Sequence, residues 1–123
     1  MLLPPLRQFR RNRRPARRPP APALLGATYV AGTSLTLVFD RAIDVSALVG
    51  GVILVDDGPG GAQYEATLGA VLVDPQTVRL ALIDLTGFAG PDVRLNAAAG
   101  NGIAPAGGGA AWAGVTDLLL PYP

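Results

Sequence analysis

Apolar and polar residues alternate along much of the chain after residue 26. In the segment SLTLVFD, Leu35, Leu37 and Phe39 fall on one face of an extended strand. Thr36, Val38 and Asp40 fall on the other face. A period of two is typical of a β-strand with one buried face and one exposed face. The pattern therefore predicts strands from this point of the chain onward.

A second pattern is the continuous apolar run in GVILVDD, residues 51–57. Such a run is typical of a strand in the middle of a sandwich, where both faces are covered. The following DGPGG segment, residues 57–61, predicts a loop, because its glycines permit positive φ and Pro59 cannot donate to a strand ladder.

A hairpin is predicted around DPQT, residues 74–77. The segments YEATLGAVLVD and TVRLALID flank it and are rich in strand-forming residues. Asp74 and Pro75 suit the first two positions of a type I turn. We therefore expect these two flanking segments to pair as antiparallel strands.

The rest of the chain continues in short strands and loops. DVRLNA predicts another strand, GNGIAPAGGG a loop, WAGVTDLLLP the last strand, and DVSALV at most a single helical turn. Six to eight strands at a spacing of roughly ten residues indicate an all-β, antiparallel sandwich. The apolar strand faces and the single tryptophan predict a core of Leu35, Leu37, Phe39, Ile53, Val78, Leu80, Leu82 and Trp112.

Three segments resemble the Ig-like repeats of bacterial S-layer and large surface proteins. They are VAGTSLTLVFDRAIDVSAL, VRLALID and VRLNAAAGNGIA, and the resemblance covers about residues 27–105. It rests on strand pattern and turn residues. It implies an Ig-like sandwich over residues 24–123 that acts as a spacer or adhesive module without catalytic residues.

The first 23 residues differ from this pattern, and we call them the arm. They contain six of the twelve prolines and no glycine, and they include RRNRRPARRPP. Proline removes amide donors and biases the preceding residue toward extended backbone, so we expect an extended arm. At about 3.1 Å per residue, such an arm reaches on the order of 60 Å.

Charge divides the chain in the same place. Seven of the ten arginines lie in the arm, while all nine acidic residues lie at or after Asp40 and leave the body with a formal charge of −6. Guanidinium groups bind carboxylates and phosphates, so the arm predicts a partner that is either protein or nucleic acid. The predicted partner-binding residues are Arg7, Arg10, Arg11, Arg13, Arg14, Arg17 and Arg18.

The composition excludes most common catalytic mechanisms. The chain has no cysteine, histidine or lysine, which leaves no disulfide, no common zinc ligand set and no Ser-His dyad. We expect no catalytic residues, no cofactor, no metal and no small-molecule substrate. MLLPPL is too short and proline-rich for a signal peptide, and no apolar run is long enough to span a membrane, so neither export nor membrane insertion is expected.

Each remaining candidate site has an ordinary structural explanation. Asp40, Asp44, Asp56 and Asp57 could bind Ca²⁺, but aspartates commonly end strands and begin turns, and their spacing matches no calcium loop. Glu65 with Asp84 could form a glycosidase pair, although we expect surface charges. Trp112 and Tyr64 could stack on a base or sugar, but a lone tryptophan favours the core. GPGG and AGGG lack the lysine and helix of a phosphate-binding loop.

The favoured hypothesis is a non-enzymatic structural subunit of a larger assembly, such as a virus particle or another protein shell. The basic arm would dock on neighbouring acidic bodies. Apolar residues on both strand faces, at Val38, Ile83 and residues 118–120, also fit a second buried surface. The alternatives are a nucleic-acid-associated protein that binds phosphates through the arm, and a surface adhesion or spacer module.

Overall fold

The fold of the protein is given by a computed structural model. Of the 123 residues, the structure describes 20–30, 33–57, 63–65, 69–81 and 92–123. The seven arm arginines therefore lie outside the described residues. Among those that the structure describes, no helix is long and apolar enough to span a bilayer.

The described residues form ten strands and one short 3-10 helix at Gly50–Val52. The segments SLTLVFD, GVILVDD and DVRLNA each contain a strand, as their apolar patterns predict, whereas the seven-residue strand at Leu24–Val30 was not predicted. The strands are β1 (Leu24–Val30), β2 (Ser34–Phe39), β3 (Ile43–Asp44), β4 (Ile53–Asp57), β5 (Gln63–Glu65), β6 (Val71–Asp74), β7 (Thr77–Ala81), β8 (Val93–Ala97), β9 (Ala104–Pro105) and β10 (Val115–Leu119).

Two four-stranded antiparallel sheets build a sandwich. One has the order β1-β2-β7-β6 and the other the order β10-β8-β4-β5, while β3 and β9 form a separate two-stranded ladder. If the main strands are lettered in chain order, this is the ABED and GFCC′ arrangement of immunoglobulin-type sandwiches. The predicted all-β sandwich is confirmed. The continuous apolar run of β4 occupies an interior position in its sheet, as predicted.

The core lies between the two sheets and follows from the period of two. On β2, Leu35 pairs with Leu80 and Leu37 with Val78, and all four side chains are fully buried. On β4 and β8, Val55 pairs with Leu95, also fully buried. Seven of the eight predicted core residues are buried, and the eighth, Leu82, lies outside the described residues.

The predicted hairpin is confirmed at β6 and β7. The amide of Gln76 donates to the Asp74 carboxylate at 2.8 Å, which is the Asx-type contact that favours aspartate at a turn. One part of the prediction is wrong: YEATLGAVLVD is not one strand. It contains β5 and β6, which belong to different sheets, so the chain crosses the sandwich between them.

The C-terminal segment ties the two sheets together at one side of the sandwich. After β10, in the second sheet, the chain crosses to β1 in the first. There Ala27 and Tyr122 exchange two backbone hydrogen bonds of 2.7 and 2.8 Å. The side between β1 and β10 is therefore bridged at one end by Tyr122.

Asn101 holds the loop that precedes β10. Its side chain is fully buried, and its Nδ2 donates to the carbonyls of Ala98 and Trp112 at 2.8 and 3.0 Å. Its Oδ1 accepts from the amide of Ile103 at 3.0 Å. A buried amide with these three bonds satisfies backbone groups that no strand partner reaches.

Candidate functional site

The root of the arm, residues 20–23, is fastened to the end of β2. The amide of Ala23 donates to Oδ1 of Asp40 at 3.0 Å, and the Asp40 amide donates back to the Ala23 carbonyl at 3.0 Å. Arg41 extends the contact, because its Nη1 donates to the carbonyl of Pro20 at 3.1 Å. The arm therefore leaves the sandwich from a fixed corner.

Asp40 and Arg41 also bind each other through two parallel hydrogen bonds. Arg41 donates from Nε to Oδ1 at 2.8 Å and from Nη2 to Oδ2 at 2.7 Å. This bidentate pair holds the pKa of Asp40 well below its usual range, and the Ala23 amide lowers it further. Asp40 in turn raises the pKa of Arg41. Asp40 and Arg41 are therefore both charged at neutral pH.

Three of the four aspartates considered as calcium ligands, Asp40, Asp44 and Asp56, have separate local partners in the structure. Asp44 accepts from the Ser46 amide at 2.8 Å, a bond that lowers the pKa of Asp44. Asp56 is 5% exposed and accepts from Asn96, while Asp57 ends β4. Among the described residues, no three His, Cys, Asp or Glu side chains form a group that could hold a metal ion.

A polar cluster on the second sheet explains why a carboxylate is buried at Asp56. Asn96 Nδ2 donates to Asp56 at 2.7 Å and to Asp117 at 3.1 Å, and Asn96 Oδ1 accepts from the Asp117 amide at 2.8 Å. Asp117 lies at a register shift in β10 and has a φ of 49°. The cluster holds this irregular edge of the sheet against β8.

The remaining residues considered as candidate sites lie in the core, on a strand, in an exposed loop or outside the described residues. Trp112 is 4% exposed and belongs to the core, as predicted. Tyr64 and Glu65 lie on β5, while Asp84 and the GPGG segment lie outside the described residues. The AGGG segment is an exposed loop in which Gly108 and Gly109 have positive φ.

An apolar groove of about 310 Å³ lies directly beside the root of the arm. It runs between the start of β1 and the segment that leads into β10, and none of the described residues that line it is charged. Its main wall residues are Pro22, Leu24, Trp112, Val115, Leu118 and Tyr122.

Strand β6 forms an apolar sheet edge. Val71, Leu72 and Val73 are 51%, 42% and 54% exposed, and β6 is the last strand of its sheet. Natural sheet edges usually carry charged residues or proline, which prevent pairing with another chain. These three positions carry neither, and Asp74, which ends the strand, is the charged residue of β6, so the first three residues are the part of this edge suited to contact with another protein.

Sequence reasoning missed the arm root and the groove. The adjacent Asp40 and Arg41 were a weak signal for an ion pair, but nothing in the sequence connects them to Pro20. The groove had no sequence signal, because its walls come from two segments almost ninety residues apart.

Comparison with known proteins assigns no family. The chain matches no protein-family profile, and no curated protein is similar to it in sequence.

Proposed function

We propose that the protein is a non-enzymatic structural subunit of a larger protein assembly, in which its basic arm docks on the acidic bodies of neighbouring subunits. The observation that carries this proposal is the separation of charge. Seven arginines lie between residues 7 and 18, while the body has a formal charge of −6. Opposite charges on two parts of one chain favour contacts between copies and steer their encounter.

Two features of the described residues support the proposal. The arm starts from a fixed corner at Asp40 and Arg41, so its origin has a defined position on every subunit. The exposed apolar edge at β6 offers a second surface suited to contact with a neighbour. An assembly uses the arm and this surface together, whereas phosphate binding uses the arm alone.

The test compares self-association of the nuclease-treated full chain with that of a variant in which all seven arm arginines are glutamine. Sedimentation velocity would be run at about 0.05 M and about 0.5 M salt, since screening weakens exposed ion pairs at the higher value. We expect oligomers of the parent chain at low salt only, and a monomeric variant. Arg79→Gln, which removes an exposed guanidinium from the body, is the control and should still assemble.

A second comparison separates protein binding from phosphate binding. Replacing Asp84 and Asp92 by Asn changes the body charge from −6 to −4. It should weaken self-association if the arm binds protein, and should slightly strengthen binding to a DNA or RNA oligonucleotide if the arm binds phosphates. A full chain that stays monomeric at low salt and binds the oligonucleotide tightly would favour the nucleic-acid alternative.

A further inference from the structure

The apolar groove beside the arm root is suited to an extended, proline-containing segment. Trp112, Tyr122, Leu24 and Leu118 are among the residues that line it, and Trp112 is itself largely buried in the core. Proline-rich segments dock on aromatic-lined grooves because their extended backbone loses little conformational entropy on binding. The volume of about 310 Å³ is at the lower end of the range for ligand pockets, about 300–1,000 Å³.

The chain itself carries a segment of this chemistry at the far end of the arm. Residues 2–6 read LLPPL: three leucines and two prolines with no charge, directly before Arg7. The arginine-based contact proposed above gives this segment no role. Its composition matches the part of the groove wall that the structure describes, in which no residue is charged.

We infer that residues 2–6 of one copy dock in the groove of a second copy, formed around Trp112, Leu118 and Tyr122. This inference rests on the arm exchange between subunits that is proposed above. It adds a specific apolar contact to an otherwise electrostatic one. The arginines would bring two copies together, and the LLPPL segment would fix where the arm ends.

The position of the root favours a second copy over the same chain. The groove lies next to the root, where Pro22 forms part of its wall, whereas residues 7–19 separate LLPPL from the root. At about 3.1 Å per residue these thirteen residues span about 40 Å when extended. This exceeds the radius of gyration of about 13 Å for a 100-residue domain. To enter its own groove, the arm would have to fold back on itself. This would bring its seven arginines, which repel one another, closer together.

Charge complementarity supports the same arrangement. An arm that ends in the groove of a second copy places its seven arginines along a body with a formal charge of −6. The apolar contact and the ionic contact are then made with the same neighbour. Once one of the two contacts has formed, the effective concentration of the other arm segment at its binding surface is higher.

The absence of cysteine from the chain allows a direct crosslinking test. Full-length Leu3→Cys is mixed with full-length Ala113→Cys under mild oxidation, because Ala113 is an exposed residue at the groove. Ala110→Cys, an exposed alanine three residues earlier, is the matched control. We expect the mixed disulfide to form at least about tenfold faster with Ala113→Cys, because docking raises the local thiol concentration.

The outcomes separate this inference from the proposed function. Equal crosslinking at Ala113→Cys and Ala110→Cys in chains that still self-associate would overturn the groove contact alone. Failure of the parent chain to self-associate at low salt would overturn both. Rapid disulfide formation within a single Leu3→Cys/Ala113→Cys chain, without formation in the mixture, would show that the segment binds its own groove and would also overturn the inference.

A non-covalent comparison checks the same contact. Ala113→Arg places a charged side chain at the groove, whereas Ala110→Arg adds the same charge outside it. We expect Ala113→Arg to raise the concentration needed for half-maximal self-association about tenfold relative to Ala110→Arg, which corresponds to about 1.4 kcal/mol. Identical curves for the two variants would contradict docking in the groove.

Discussion

The ring of Trp112 meets the ring of Phe39 edge to face, with centroids 5.2 Å apart and planes inclined at 77°. Phe39 ends β2 in the first sheet, and Trp112 lies in the loop that leads to β10 in the second. This geometry is favoured by the ring quadrupoles, and both side chains are buried. The pair therefore joins the two sheets close to the arm root.

Replacing Trp112 by Ala should reduce the free energy of unfolding by about 3–5 kcal/mol, because it removes a buried ring and leaves a cavity against Phe39. Urea denaturation followed by circular dichroism would measure the loss, since the variant has no tryptophan to monitor. Thr116→Ala, at an exposed position on β10, is the control and should change the value by less than about 0.5 kcal/mol. A loss below about 1 kcal/mol would mean that the contact between the sheets does not depend on this ring.

Asn101→Ala should be more destabilising than Asn96→Ala, although each side chain takes part in three hydrogen bonds. Asn101 is fully buried, so its removal takes the hydrogen-bond partner from the Ile103 amide and the Trp112 carbonyl, both of which form buried bonds with it. Asn96 is only partly buried. Water can replace it at Asp117, where both hydrogen bonds are exposed, so mainly its hydrogen bond to the buried Asp56 carboxylate is lost. We expect a loss of about 2–4 kcal/mol for Asn101→Ala and about 1 kcal/mol for Asn96→Ala, from denaturant midpoints. Equal losses would contradict burial as the cause.

Substitution by alanine should reduce the free energy of unfolding at Gly102 but not at Gly107. Gly102 has a φ of 81°, and a Cβ there would overlap the Ala47 carbonyl oxygen. A Cβ at Gly107 meets nothing within 4 Å. Gly102→Ala should therefore cost more than about 2 kcal/mol, whereas Gly107→Ala should be close to neutral. Thermal melts of both variants would check this, and similar melting temperatures would refute the assigned backbone conformation.

The ion pair of Asp40 and Arg41 should make the free energy of unfolding depend on pH in the acidic range. The folded-state pKa of Asp40 is lowered, mainly by Arg41, so its ionised form is stabilised by folding. This contribution is fully present above the unfolded-state pKa of about 3.9 and is lost as pH falls through the lower folded-state pKa. Asp40→Asn should thus be less stable than the parent chain at pH 7, and the difference should shrink below about pH 4.

Urea midpoints of the parent chain and Asp40→Asn between pH 7 and pH 2 would measure this difference. Arg41→Gln should show the same narrowing, because it removes the main cause of the lowered pKa. A difference that stays constant down to pH 2 would show that the corner does not contribute through ionisation.

A structural feature of this protein can be predicted from the sequence when it depends on residues that are close together in the chain. The alternation of Leu35, Leu37 and Phe39 reflects a property of the extended backbone itself, so a few consecutive residues are enough to show it. The turn at Asp74 is equally local, since Gln76 is its partner. The short β3, β9 and β5 are different. They contain only two or three residues, too few to show a period. β3 and β9 also depend on each other across about 60 positions of the chain, whereas β5 pairs with the preceding strand β4.

By itself, the sequence determined the segments of β2, β4, β7, β8 and β10, seven of the buried core residues and the separation of a basic arm from an acidic body, because side-chain period and charge belong to single residues and their neighbours. Only the tertiary structure decided that YEATLGAVLVD divides between two sheets, that Arg41 holds Pro20, and that Pro22 and Trp112 border one groove. The last two relationships join residues 21 and 90 positions apart, and the first depends on which sheet each half of the segment joins, so all three depend on how the whole sandwich packs.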